Sequence, residues 1–521
     1  LNKNRFAMTA IPSLPSPRRS VLAALSTLPW LNRAWAQGAM PHDMSAMPGM
    51  HSSTATATVV TTLAPVEAIS PGAPLAALKK LVNTSSKPGV FRASLRAAPV
   101  SLAVLQDGTQ TEFWAYNKSL PGPLIEVMEG DTVEIEFINA LPQPSTIHWH
   151  GLPVPPEQDG NPQDAVPAGG RRVYRFTLPL NCAGTYWYHP HPHGLTAEQV
   201  YRGLAGLFIV RAKHDPLKAI SERHLVCSDL KLGADGRIAA NDMNDEMNGR
   251  EGQFALVNAQ RQPVLTFDAS GRERWRIWNA NSARYLRLSL PGARFTLVGT
   301  DGGLLEKPVT GLSELLMAAA QRIEVIVEAP AGGGVVGLVT SPVERGKMGE
   351  VPPEHPITLL SVDFSAVQPD RLAALPPLPS TLRRIQPLGA VKAKKRVVFS
   401  ELMSMEGGVH SMQFLVNGKN FDMRRVDFTS RINEVELWEI VNESDMDHPF
   451  HIHGTQFQVL EREMDGQVTP EPFLAWRDIV NTRSGETVRV KLVQRHKGLR
   501  MFHCHILEHE NAGMMGQVNV I

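Results

Sequence analysis

In DTVEIEFINA, residues 131–140, Val133, Ile135 and Phe137 alternate with Glu134 and Glu136. A period of two sends successive side chains to opposite faces, so the segment predicts a half-buried strand. RINEVELWEIVNE, residues 431–443, sets Val435, Leu437 and Glu439 against Glu434, Glu436 and Trp438, and QRIEVIVEAP behaves similarly. The strands recur. EIEFINA carries Asn139, RWRIWNA carries Asn279 and LWEIVNE carries Asn442; upstream lie Asn117, Asn258 and Asn417, separated from them by 22, 21 and 25 residues. Three copies in register predict three related β-domains. With 41 glycines, 40 prolines and many short alternating segments, the chain reads as all-β. Its 521 residues exceed what one core holds and suggest two to four domains.

The expected organisation starts with an export signal over residues 1–36. Arg18 and Arg19 precede a short apolar run and a small-x-small end at Ala34-Trp35-Ala36, the pattern of a twin-arginine secretory signal. Residues 37–96, rich in Ala, Ser, Thr, Pro and Met without sustained period, read as a partly flexible leader. The three β-domains follow at 97–213, 214–368 and 393–521, with the Pro-rich 369–392 as linker. These features predict a periplasmic or secreted protein, expected to act as a monomer. No other stretch offers the roughly 18 uninterrupted apolar residues of a membrane span.

Composition narrows the chemistry. Lys and Arg total 52 against 51 Asp and Glu, a net charge of +1, which argues against nucleic acid as partner. Three cysteines, Cys182, Cys227 and Cys504, permit one disulfide, between Cys182 and Cys227, but no framework.

Eleven of the 18 histidines fall in four clusters: His148 and His150; His189, His191 and His193; His448, His451 and His453; His503, His505 and His509. On a strand, His-x-His aims two imidazoles at one point, and imidazole suits copper, zinc, iron and nickel. In HCH the flanking histidines share one face and Cys504 takes the other, so one strand can serve two metal centres. On the far face Cys504, His509, an earlier histidine and Met514 would form a His2Cys site with a long axial Met, the blue-copper set. Zinc gains nothing from a covalent link between two centres, because it undergoes no redox change.

HWHG, YWYHPHPHG, HPFHIHG and HCHILEHENAGMM resemble the four signature motifs of the multicopper oxidases, the laccase and cuprous-oxidase family, and the likeness extends from about residue 97 to 521. The resemblance implies three cupredoxin-like β-sandwich domains of Greek-key type and four copper ions. It implies a type 1 copper at His448, Cys504 and His509 with Met514 axial. It implies a type 2 copper at His148 and His451. The type 3 pair falls to His150, His189, His191, His453, His503 and His505, with the three-copper cluster between the first and third domains. Glu510 and Asp159 match acids that relay protons in the family. Trp149 is expected to pack in the core, His193 to stay outside the ligand set, and Glu508 to be solvated.

The implied reaction couples four one-electron oxidations to reduction of O2 to water. Phenols and aromatic amines are the expected reductants, with Cu(I) as a further one. Electrons would enter at exposed edges of His448 or His509. Thioethers suit Cu(I), and Met446, Met403 and Met405 are candidates for holding it; Met412 and the leader methionines Met40, Met44, Met47 and Met50 add to the supply. The body is most similar to twin-arginine-exported copper-tolerance oxidases but lacks their long methionine-rich insertion, which leaves the type 1 site more open to phenols. Two alternatives stand beside this: a dedicated cuprous oxidase, and a periplasmic copper carrier whose oxidase activity is incidental.

Overall fold

The computed structural model of the chain describes residues 61–406 and 409–521, without the side chains of residues 404–411. The twin-arginine segment and the methionines of the leader lie outside the described residues.

Six sheets make three two-layered sandwiches. Two four-stranded sheets form the first, a seven- and a five-stranded sheet the middle one, and a six- and a five-stranded sheet the third. Each sandwich encloses its own apolar core, around Phe137 and Tyr174, around Trp275 and Phe364, and around Trp438 and Phe502.

The repeated asparagines explain themselves in this architecture. In each sandwich a parallel ladder runs up to the downstream asparagine: Ala97 opposite Asn139, Cys227 opposite Asn279 and Phe399 opposite Asn442. Each of these buried amides donates to a carbonyl of the next loop, Asn139 to Gln143, Asn279 to Arg284 and Asn442 to Met446. The upstream Asn117, Asn258 and Asn417 all take φ of 51°, the left-handed turn that asparagine tolerates. Their side-chain oxygens accept from Arg96, Val226 and Val398. One asparagine thus makes the turn and the other closes the ladder.

Alternation was informative with one reversal of phase and one exception, Arg322–Glu328, which is buried on both faces from Arg322 to Val327. Val133, Ile135 and Phe137 are fully buried as the pattern predicts. In Val435–Asn442 the opposite face is buried: Glu436, Trp438, Ile440 and Asn442 point inward, while Val435, Leu437 and Glu439 are half-buried. Glu436 tolerates burial because its carboxylate accepts from Trp438 Nε1 at 2.8 Å and Ser430 Oγ at 2.9 Å.

The first strand, Val90–Ala103, begins before the boundary expected at residue 97. Ahead of it the chain lies along the first two sandwiches, with bridges from Leu63 to Gly233, Pro74 to Val264 and Lys80 to Leu124. Leu75, Leu78 and Leu81, three residues apart, anchor it against three different clusters. Cys182 sits in the first core and Cys227 in the middle one, both as free thiols, so the disulfide considered above does not form.

Candidate metal centre

The strand Gly498–Cys504 lies between His448–Ile452 and Met515–Val520, with His451 opposite His503 and Phe450 opposite Cys504. Because neighbouring residues face opposite ways, His503 turns into the space between the outer sandwiches and Cys504 into the third core. There Cys504 Sγ lies 3.4 Å from His448 Nδ1 and 3.9 Å from His509 Nδ1, and the two imidazole nitrogens are 3.3 Å apart. The single-turn helix Leu507–Asn511 delivers His509, and Met514, fully buried in the same core, follows it. The backbone of Met514 closes the loop: its N–H donates to His509 and its carbonyl accepts from Cys504.

On the other face, eight fully buried imidazoles converge from both outer sandwiches. His148 Nε2 faces His451 Nε2 at 3.4 Å; His503 Nε2 lies 3.3 Å from Nε2 of both His191 and His453. The rings of His148 and His453 stack at 3.7 Å, those of His150 and His451 at 3.9 Å. His150 and His505 meet edge-on at 4.9 Å, and His189 lies 5.8 Å from each of them.

The pattern of protonation suits a metal. Burial, then the neighbouring histidines, holds His150, His189, His191, His451, His453 and His505 well below the usual imidazole range, so these rings are neutral. Backbone and side-chain oxygens take the Nδ1–H of four rings: Asp159 for His148, Pro190 for His189, Asp478 for His451 and Cys504 for His503. Their Nε2 lone pairs then point inward, the orientation that outer partners impose on ligating histidines. His150, His189, His191, His453 and His505 each keep a buried ring nitrogen without a partner. Buried polar atoms are rarely left so. The residues fit copper.

Both acids singled out in the sequence reach this cluster. Asp159, fully buried, places Oδ1 3.0 Å from His148 Nδ1 and Oδ2 3.8 Å from His453 Nδ1. Burial raises its carboxyl against the pull of His148 and Arg500. Glu510 places its oxygens 3.5 Å from His191 Nε2 and 3.6 Å from His503 Nδ1, and burial pushes it up to about 8.

Several expectations change. The edges of His448 and His509 are not exposed: both residues are fully buried. His448 Nε2 bonds to Ser444 Oγ at 2.7 Å, and His509 Nε2 bonds to the Met247 carbonyl at 3.0 Å while Phe414 stacks on its ring at 3.8 Å. Met247 belongs to a short helix of the middle sandwich, Met243–Asn248, whose Asp242 and Asp245 form a capping box. Glu508 is buried rather than solvated, and burial raises it to about 7. Met446, expected to meet Cu(I), is fully buried in the third core, out of reach of an arriving ion. Met403 is exposed and stands opposite Met412 on a hairpin; the side chain of Met405 lies outside the described residues. His193 is exposed, edge-on to Phe421 at 5.0 Å, and joins no metal-ligand group. Trp149 packs among Tyr174, Phe176, Tyr188 and Phe208. Among the described residues, no potential metal-ligand group includes a histidine or cysteine of the middle sandwich.

Sequence inspection missed Asp478, Arg322 and Met247. Asp478 Oδ1 lies 3.1 Å from His150 Nε2, and Arg322 grips its carboxylate. Neither has a metal-ligand spacing that would have singled it out.

Known proteins share this arrangement. Family models described as multicopper oxidase match residues 100–215, 232–335 and 398–521. The multicopper oxidase Mco of Staphylococcus aureus is 33% identical over 421 residues, covering 78% of this chain and 83% of that protein. A laccase of Bacillus subtilis is 27% identical over 488 residues, covering 80% and 91%. Among solved structures, a multicopper oxidase from Campylobacter jejuni, described as a metallo-oxidase, superposes with a TM-score of 0.84 at 42% identity, covering 89% of this chain and 98% of that one. The His448–Cys504–His509 group and the buried histidine cluster match the type 1 and trinuclear copper sites of such enzymes. With that site, fold and relatedness, the chain belongs to the multicopper oxidase family.

Proposed function

We propose that this oxidase takes its electrons chiefly from Cu(I), and that phenols and aromatic amines are the poorer donors. The order reverses the one drawn from the sequence. The observation that carries it is the cover over the type 1 site: the Met247 carbonyl occupies His509 Nε2 and Phe414 lies on the ring. A phenol would need that nitrogen as its hydrogen-bond partner, whereas a metal ion can pass an electron from outside the cover. The exposed Met403, opposite Met412 and two residues from the Phe414 pairing, offers soft sulfur on that same hairpin. The metallo-oxidase from Campylobacter jejuni supports this choice, and the laccase of Bacillus subtilis supports the phenol reading.

We assign to His448, Cys504 and His509 the type 1 copper they would hold, with the thioether of Met514 buried in the same core, and to His148 and His451 the type 2 copper. The type 3 pair is assigned to His150, His189, His191, His453, His503 and His505. When bound, the four ions supply one-electron storage that lets O2 accept four electrons and become water. The chain supplies the rest. Cys504 links covalently to His503 and His505, and its carbonyl accepts the His503 Nδ1–H at 2.8 Å, giving electrons a second route. Asp159 and Glu510 hold protons beside His148 and His503, where reduced oxygen needs them. The paired Arg18 and Arg19 support work outside the cytoplasm.

Oxygen uptake decides the substrate. Steady-state kcat/KM for Cu(I), with a chelator trapping Cu(II), should exceed that for 2,6-dimethoxyphenol by tenfold or more. Equal or inverted values would restore the phenol assignment.

A further inference from the structure

The middle sandwich supplies no copper-ligand candidate among the described residues, yet one of its side chains grips a residue that touches the trinuclear cluster. Arg322 begins the strand Arg322–Glu328 and is fully buried. Its guanidinium grips Asp478 with two bonds, Nη1 to Oδ1 at 2.7 Å and Nη2 to Oδ2 at 2.5 Å. Its Nε donates to the Thr185 carbonyl at 2.8 Å, on the strand that ends in His189. Its own N–H is fixed by Asp301 Oδ1 at 2.8 Å. Arg322 therefore ties the first and third sandwiches together through the second.

Asp478 in turn touches two cluster histidines. Its backbone carbonyl accepts His451 Nδ1–H at 2.8 Å, which turns His451 Nε2 toward His148 Nε2. Its carboxylate lies 3.1 Å from His150 Nε2. Gly151, directly after His150 and with φ of 81°, makes the approach possible: a Cβ there would overlap Asp478 Oδ2 and crowd Arg322 Nη2. The glycine of HWHG is needed for this pair.

We propose that Arg322 and Asp478 are positioning residues for the type 2 copper: the guanidinium's grip on the Asp478 carboxylate fixes the backbone whose carbonyl orients His451, so that the sandwich without ligands sets how firmly the cluster holds that ion. It rests on the assignment of His451 to the type 2 copper. A planar two-pronged guanidinium fixes a carboxylate in a way an ammonium does not, and losing an outer partner of a ligating histidine costs 10–100-fold in metal affinity in comparable sites.

The test uses the full copper-loaded chain with Arg322→Met, Arg322→Lys and Asp478→Asn. Two readouts matter: copper retained after dialysis against EDTA, and the electron paramagnetic resonance of the type 2 ion beside the blue absorption of type 1. Arg322→Met should keep its blue colour and lose type 2 copper at least about tenfold more readily than the parent. Arg322→Lys should recover part of that loss, and Asp478→Asn should shift the type 2 hyperfine coupling. Unchanged retention and spectra in Arg322→Met and Asp478→Asn would overturn the proposal, as would loss of type 1 and type 2 copper in equal measure. If Arg322→Met yields no blue protein, Asp478→Asn decides by the same two readouts. A parent lacking any type 2 signal would instead sink the copper assignment itself.

Discussion

His509 Nε2 donates to the backbone carbonyl of Met247 at 3.0 Å, so a ring of the third sandwich is capped by a helix of the second. The direction of the bond follows from the other nitrogen: Nδ1 faces Cys504 Sγ and His448 Nδ1 as a ligand and cannot carry the proton. The helix is short, and both its ends are tied. Lys231 bridges Asp242 and Asp245 at 2.9 and 2.5 Å, and Arg345 holds the Asn248 carbonyl at 2.6 Å.

Loosening that helix should open the type 1 site. Asp242→Ala removes the cap and one arm of the Lys231 bridge, at a cost of about 1 kcal/mol local to the helix. Phenol oxidation should rise several-fold in kcat/KM while Cu(I) oxidation changes little. Oxygen uptake with each donor checks this; a parallel rise for both would mean the cover does not select.

Cys504→Ser should abolish the intense blue absorption and steady-state turnover together, because the thiolate is both the type 1 ligand and the start of the covalent route to His503 and His505. The trinuclear histidines lie on the opposite face of the strand, so their copper should remain. A variant that stays blue would show that another sulfur holds the type 1 ion.

The ligand set was legible for a physical reason: extended backbone converts a two-residue spacing into convergence at a point, and HWH, HPH, HIH and HCH all carry it, although only HWH lies wholly within a strand and the second histidine of the other three falls one or two residues beyond a strand's end. The repeats were legible because the same asparagine chemistry ends each parallel ladder. What lay hidden has no local signature. Met247 acts through a backbone carbonyl, which any residue has. Arg322 and Asp478 meet from different sandwiches, and no spacing along the chain announces them. In Val435–Asn442 both faces carry apolar residues, and Trp438 with Ile440 won the interior because the buried Glu436 found two donors. Pairing of Cys182 with Cys227 looked possible only because cysteine count is blind to which core each thiol occupies.

Glu510→Gln should separate the two halves of the reaction. Its carboxyl sits 3.5 Å from His191 and 3.6 Å from His503, against the trinuclear histidines, although the residue follows His509 in the chain. Anaerobic bleaching of the blue band by donor should keep its parental rate. Reoxidation by O2 should slow by about 100-fold, the lower range for loss of a positioned proton donor. Stopped-flow mixing distinguishes the steps, and slowed bleaching with normal reoxidation would remove Glu510 from oxygen reduction.

Acid stability should carry the mark of Glu251. Burial alone would raise this carboxyl, but Arg284, Arg345 and Lys347 outweigh it and bring it down to about 2. Lys347 Nζ and Arg345 Nη2 lie 2.8 and 2.9 Å from it. A carboxyl depressed on folding stabilises the native state above its unfolded pKa, near 4.5, and that contribution drains away as pH falls toward 2. The shift corresponds to at most about 3 kcal/mol. Since Arg345 also holds the Asn248 carbonyl at the end of the capping helix, the loss should appear first beside the type 1 site. Urea titrations of the copper-free protein at pH 7, 5 and 3 check this: Glu251→Gln should be less stable than the parent at pH 7, and the gap should narrow by pH 3. A gap that stays constant with pH would assign the effect of Glu251 to packing rather than charge.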